Sequence, residues 1–182
     1  MMELREFARI MGEAAIAFEE GFPEVMDEAA RVVQDEAKAM IGHYQRGIEP
    51  FDDWKPLAES TVEEKSRLGF SPPDNPLERT GLLRESIERA AGPMEAVVGS
   101  NDEVAVFQEL GTKFMPPRSF LGAAAVKKQS EVVEIIWGAS KMILLGRSRE
   151  IGADVTKFAM KPTGFLSGWV RRPAVKPLVE RL

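Results

Sequence analysis

Apolar residues recur at helical spacing from the start of the chain, with Leu4, Phe7, Ile10, Met11, Ala14, Ala17 and Phe18 on one stripe that stops at Gly21. Pro23 suits the first turn of a second helix, with Glu24, Asp27 and Glu28 near its N-terminus, where negative charge is favoured. Val25, Ala29, Val32, Val33, Glu36, Ala39 and Met40 then make a mostly apolar stripe that Gly42 ends. The pattern therefore predicts two N-terminal helices, packed on a sheet or on one another, with their acids facing solvent.

The periodicity breaks over residues 45–76. Pro50, Pro56, Pro72, Pro73 and Pro76, with Gly47 and Gly69, leave little room for regular structure beyond a short helix over Thr61–Leu68. Ser60/Thr61 followed by Glu63/Glu64 resembles a capping box for that helix. A loop this long is uncommon inside a compact domain. Phe51 and Trp54 sit in it and need burial, which a neighbouring subunit would supply. On this reading the Pro-rich segment is mobile in the isolated chain and ordered in an assembly.

From Leu82 the pattern turns towards strands. Leu83–Ala90 is compatible with a strand or a short helix, Gly92-Pro93 is a turn, and Glu95–Val98 reads as a strand. Gly99–Asp102 is a second turn, after which Val104–Phe107 begins a further element. Connections this short suit an antiparallel sheet. A long final helix is predicted over Gly122–Leu145, using Ala123, Val126, Val133, Ile136 and Trp137. Beyond it, Lys161-Pro-Thr-Gly164 and Arg172-Pro-Ala-Val-Lys-Pro177 mark a basic extension. The fold expected is α+β, with two N-terminal helices and a long C-terminal helix on a small antiparallel sheet. Residues 1–130 form the main domain, including the long loop at 45–80, and 131–182 form the helical and basic extension.

Composition sharpens this picture in two places. The 182 residues include no cysteine, which excludes disulfides and thiolate chemistry. The net charge of −5 hides an asymmetry: residues 1–40 hold ten acids against four bases, whereas 147–182 hold eight bases against three acids. Such polarity suits complementary faces of neighbouring subunits or partners, and equally a solvated helix plus a basic tail. The 44% hydrophobic and 29% charged content is ordinary for a soluble protein. The N-terminus lacks the pattern of a secretory signal, and Val132–Leu145 falls short of a membrane span.

Candidate chemistry is sparse. His43 is the single histidine and is placed to interact with helix-terminal carbonyls, with no second ligand at helical spacing. Asp52-Asp53 and Glu63-Glu64 are adjacent in sequence, so their side chains diverge. No phosphate-binding glycine loop or nucleophile elbow is present. An enzyme, a cofactor site and a metal site are therefore not expected. Arg147, Arg149, Arg171, Arg172 and Lys176, interleaved with Phe165 and Trp169, could stack and neutralise a single strand. The acidic total and the preference of protein interfaces for Trp, Phe and Arg favour protein contact over nucleic acid.

Four motifs carry a family resemblance: Trp54-Lys-Pro-Leu57; Leu77 with Thr80-Gly81-Leu82 and Ser86; Glu109-Leu-Gly-Thr112; and Pro117-Arg-Ser-Phe-Leu-Gly122. In order and spacing over roughly residues 25–130, the chain resembles the tail-completion and head-to-tail joining proteins of tailed bacteriophages, also described as minor tail components or virion morphogenesis proteins. It departs from that pattern at Val104-Ala105-Val106, where a tyrosine is expected, and at Arg118-Ser-Phe120 in place of Arg-Pro-Phe. The resemblance implies a structural virion protein of the neck or proximal tail, assembled in the host cytoplasm as a homo-oligomeric ring, by analogy a hexamer. Its partners would be head-connector or portal-adaptor proteins on one face and tail-tube or tail-terminator proteins on the other. The alternative is a head-completion adaptor or a stand-alone binding module contacting portal or DNA.

Interface residues expected on this reading are Phe51, Trp54, Leu57, Leu77, Arg84, Glu109, Thr112, Arg118 and Phe120, with Trp169, Arg171 and Arg172 in the extension. Gly81, Gly111, Pro116 and Pro117 are assigned to turns, and Gly81 and Gly111 to conformations that a side chain resists. Glu109 and Arg118 flank the turn and are expected to pair across it.

Overall fold

In the computed structural model, residues 3–151 are described, with side chains up to residue 143. The elements run α1 (Leu4–Met40), α2 (Glu59–Arg67), α3 (Leu82–Glu85), β1 (Ile87–Ala91), β2 (Ala96–Ser100), α4 (Glu103–Leu110) and α5 (Leu121–Ile151). The architecture is α+β: two long helices and a two-stranded antiparallel sheet. Helix α1 packs along α5 and against both strands.

The two N-terminal helices expected from the sequence are one. Pro23 lies inside α1, and the helix continues through Gly21. An interior proline removes one backbone hydrogen bond and crowds the preceding turn. Continuity wins because the buried positions Ile10, Ala14, Phe22, Ala29, Ala30, Ala37 and Met40 keep one helical phase across the proline. The Phe18 and Phe22 rings pack in a tilted arrangement, 5.2 Å between centroids, and Gly21 faces Ile143 of α5. Breaking the helix there would take that face off α5.

Polar ties fix α1 against its neighbours. Buried Gln34 donates to the Ile87 carbonyl at 2.7 Å and accepts from Arg89 Nη1 at 2.6 Å. Arg89 also grips Asp27 through Nε and Nη2 at 2.9 and 3.1 Å, which holds that carboxyl below the usual carboxylate range. Lys127 on α5 pairs with Glu36 at 2.5 Å.

The ambiguous stretch at 83–90 splits between α3 and β1, and β2 pairs with β1 in register from Ile87↔Ser100 to Ala91↔Ala96. The element beginning near Val104 is helix α4 and adds nothing to the sheet. Asp102 caps it, accepting from the Val104 N–H at 2.9 Å, and that cap favours helix for the apolar run Val104–Phe107. Helix α2 starts at Glu59 from Ala58 without a side-chain cap, so the capping box does not form. The final helix starts where expected and runs on to Ile151, with Val133 and Trp137 exposed on it.

One core unites these elements: Ala37, Met40 and Ile41 from the end of α1, Trp54, Leu83, Ile87, Ala105, and Phe120, Ala123 and Ala124 at the start of α5. Phe51 and Leu77 pack against it. The Pro-rich segment thus buries its aromatics in the chain's own interior, which removes the reason for expecting Phe51 and Trp54 to wait for a neighbouring subunit. A residue-by-residue reading treats a proline-rich segment as solvent-facing; here its prolines route the chain across the core instead.

Both turn glycines adopt positive φ, +85° at Gly81 and +72° at Gly111. They differ in surroundings. A Cβ on Gly81 would meet open space, whereas one on Gly111 would lie 2.8 Å from Pro117 N and 2.9 Å from Met115 O. Gly81→Ala is therefore expected to destabilise by about 1 kcal/mol from backbone strain alone. Gly111→Ala is expected to cost about 2 kcal/mol or more, since its φ,ψ region is close to glycine-only and the backbone must also shift. Urea unfolding of the two variants checks the order, and equal losses would contradict the close approach at Gly111.

Candidate functional site

Helix α4 ends at Gly111, and the chain reverses through residues 112–117 before α5 begins. Thr112 builds the reversal: its N–H donates to Met115 O at 2.8 Å, and its hydroxyl accepts from the N–H groups of Phe114 and Met115 at 3.2 Å. Arg118 N–H donates to Gln108 O at 2.7 Å and joins the two arms. Pro116 and Pro117 hold the returning arm extended, as their fixed φ dictates.

The first N–H groups of a helix lack intrahelical acceptors. For α5 the acceptor comes from another helix. The Glu109 carboxylate accepts from the N–H groups of Phe120, Leu121 and Gly122 at 2.8, 3.0 and 2.8 Å, and from the Ser119 hydroxyl. Its charge also lies at the positive end of the helix dipole. The expected Glu109–Arg118 pair does not form. Three convergent backbone donors plus a hydroxyl saturate the carboxylate and leave it no site for a guanidinium.

Arg118 instead donates from Nη2 to Lys55 O at 3.0 Å and to Pro56 O at 3.3 Å. Trp54, 6% exposed, donates its indole N–H to Ser119 O at 3.2 Å, beside fully buried Phe120. The motif residues Trp54, Glu109, Arg118 and Phe120 therefore converge on one knot that ties segment 54–56 to the start of α5. Arg84 acts elsewhere: it donates to Ile41 O at 2.8 Å and pairs with Glu78 at 3.0 Å, capping the carbonyl end of α1. His43 is exposed just beyond that end.

Beside the knot, segments 55–61 and 75–83 and the reversal after α4 surround an open cleft of about 790 Å³. Leu57, Leu77, Gly81 and Pro116 line it, and Leu77 carries a positive φ of 61°, a strained conformation for a bulky residue. Two lining side chains are buried cations, Lys65 at 2% and Arg118 at 5% exposure. Lys65 donates to Asn75 O at 2.6 Å. Among the described residues neither cation has a carboxylate within ion-pair distance. Burial pushes both the Lys65 ammonium and the Arg118 guanidinium below their ordinary pKa. Arg118 Nε and Gln108 Oε1, also on the lining, are buried without hydrogen-bond partners among the described residues.

The rim is apolar, and nothing among the described residues covers it. Leu82, Val104 and Phe114 line the cleft and are exposed, Phe114 to 92%, and Val106, Phe107 and Leu110 extend the apolar surface along α4. Sequence reasoning missed Lys65, Gln108 and this apolar face. For Lys65 the signal was its helical spacing from Thr61 on α2; both line the cleft. For α4 the signal was the Asp102 cap before four apolar residues. Trp169, Arg171 and Arg172 lie outside the described residues, as do the side chains of Arg147 and Arg149.

The arrangement offers two buried donors and apolar walls, suited to holding an acidic, partly apolar segment. Among the described residues no group of three or more His, Asp or Glu could hold a metal ion, and no helix is long and apolar enough to cross a membrane. Comparison with models of known protein families, with curated sequences and with solved structures finds no match to this chain.

Proposed function

We propose that this chain is a structural subunit of a tailed phage or phage-like particle, forming a ring at the head–tail neck or proximal tail. The observation that carries the reading is the apolar face of Leu82, Val104, Val106, Phe107, Leu110 and Phe114, left exposed by the described residues. Patches of this kind mark interaction surfaces. It falls within the stretch whose motifs resemble those of tail-completion proteins, and the polar groups of Trp54, Glu109 and Arg118 there are occupied internally as hydrogen-bonding partners. On this reading Glu109, Arg118 and Trp54 set the shape of the loop, and the apolar residues around it make the subunit contacts. Function is then assembly: copies join into a ring, by analogy of six, whose faces meet the head connector and the tail tube.

The mass of the purified chain over a range of concentrations, alone and with tail-tube or head-connector protein, tests this. A closed oligomer, or one that forms on adding either partner, is expected. A chain that binds neither partner, whether monomeric or self-assembled, would overturn the proposal. Preferential binding of a labelled oligonucleotide would instead favour an adaptor that contacts DNA.

A further inference from the structure

The cleft holds two buried positive charges, Lys65 and Arg118, with no carboxylate at ion-pair distance among the described residues; Asp74 and Glu78 act on Lys65 only from farther off. Isolated buried charge is strongly unfavourable, and the usual remedy is a paired counter-charge. The carboxylates on the cleft lining are engaged: Glu78 with Arg84, and Asp102 as the cap of α4. Arg118 Nε and Gln108 Oε1 also lack partners there among the described residues. Apolar wall is supplied beside these groups by Leu57, Leu77, Leu82, Val104 and Met115. A matching occupant carries carboxylates beside large apolar side chains.

The chain has such a segment in the N-terminal half of α1. Residues 3–24 hold six acids and two bases. Leu4, Phe7 and Met11 recur there at helical spacing and are exposed, with Glu3 one turn before Phe7 on the same face and Glu6 beside it. This segment cannot enter its own cleft. The cleft adjoins the C-terminal end of α1, where Gly42 N–H bonds Pro76 O and Arg84 caps Ile41. Leu4 lies at the opposite end of a 37-residue helix, about 55 Å away.

We propose that the cleft receives the N-terminal half of α1 from a second copy, whose carboxylates neutralise Arg118 and Lys65 while Leu4, Phe7 and Met11 cover the apolar walls. The contact joins two different surfaces and is therefore heterologous, the kind that closes a ring or continues as a filament. It names the surfaces behind the ring proposed above and rests on that reading for copy-to-copy assembly.

Two sets of exposed-site variants test it in the full-length chain. Leu82→Glu with Phe114→Glu spoils the cleft, and Phe7→Glu with Met11→Glu spoils the helix face; all four residues are at least 46% exposed, so folding is expected to survive, as unfolding curves would check. Each variant alone should be monomeric where the wild type assembles. An equimolar mixture should give dimers and nothing larger, because one good cleft meets one good helix face and the chain then ends. A third variant, Glu3→Lys with Glu6→Lys, should weaken assembly at least tenfold. Unchanged assembly of any variant, a mixture that stays monomeric, or a wild type that never self-associates would overturn the inference. In the last case the proposed function still stands if the chain binds tail-tube or connector protein. Assembly through the cleft without binding to either would uphold the inference and remove the function.

Discussion

Glu109→Ala is expected to destabilise the protein by about 3–4 kcal/mol, a loss that combines a helix cap with several charge-assisted hydrogen bonds. The carboxylate is the acceptor for Phe120, Leu121 and Gly122 N–H and for the Ser119 hydroxyl. Ser119 and Phe120 are buried, so donors abandoned there gain little from water. Removing one partner and leaving buried donors unsatisfied costs more than the bond's net worth. Glu109→Gln should lose roughly half as much, since one amide oxygen can still accept while the NH₂ group opposes a backbone donor. Urea unfolding with an unchanged slope would report the loss as stability, and hydrogen exchange at 119–122 would rise first. A loss within about 0.5 kcal/mol for alanine would show that α5 starts without help from α4.

Trp54→Ala is expected to cost about 3–5 kcal/mol, the range for emptying a buried aromatic site. Trp54 belongs to the same core as Ile41, Ile87 and Phe120, and its indole N–H serves Ser119 O. The effect should therefore appear in folding, before any assembly step. Trp54→Phe separates the two contributions: it keeps most of the packing and drops one hydrogen bond, a loss of about 1 kcal/mol. If Trp54→Ala melts like the wild type but fails to assemble, the residue serves an interface and its burial in the monomer is wrong.

These two positions also show how far the sequence could be read. Trp54, Glu109, Arg118 and Phe120 could be picked out as a group, but not their partners. Glu109 and Arg118 looked like an ion pair because they carry opposite charges on either side of a turn. Backbone N–H groups leave no mark in a sequence, and three of them at the start of α5 took the carboxylate. Lys65 went unnoticed because lysine is ordinarily a solvent-facing residue, and only the approach of Asn75 and the cleft wall makes it a buried one.

Local chemistry determined what depends on neighbours a few residues away. The sequence by itself placed the long helix that begins near Gly122, the turn at Gly92-Pro93, the β2 strand and the positive φ of Gly81 and Gly111, because periodicity and the missing Cβ act at that range. The tertiary structure decided whatever required comparing energies across distant segments. It made α1 a single helix, since packing on α5 outweighs the proline's lost hydrogen bond. It sent Phe51 and Trp54 into the chain's own core, and it left Arg118 and Lys65 buried in a cleft with no carboxylate at ion-pair distance among the described residues. Burial is a property of the folded neighbourhood, and two cations some fifty residues apart come to share one cleft lining only when the chain folds back on itself.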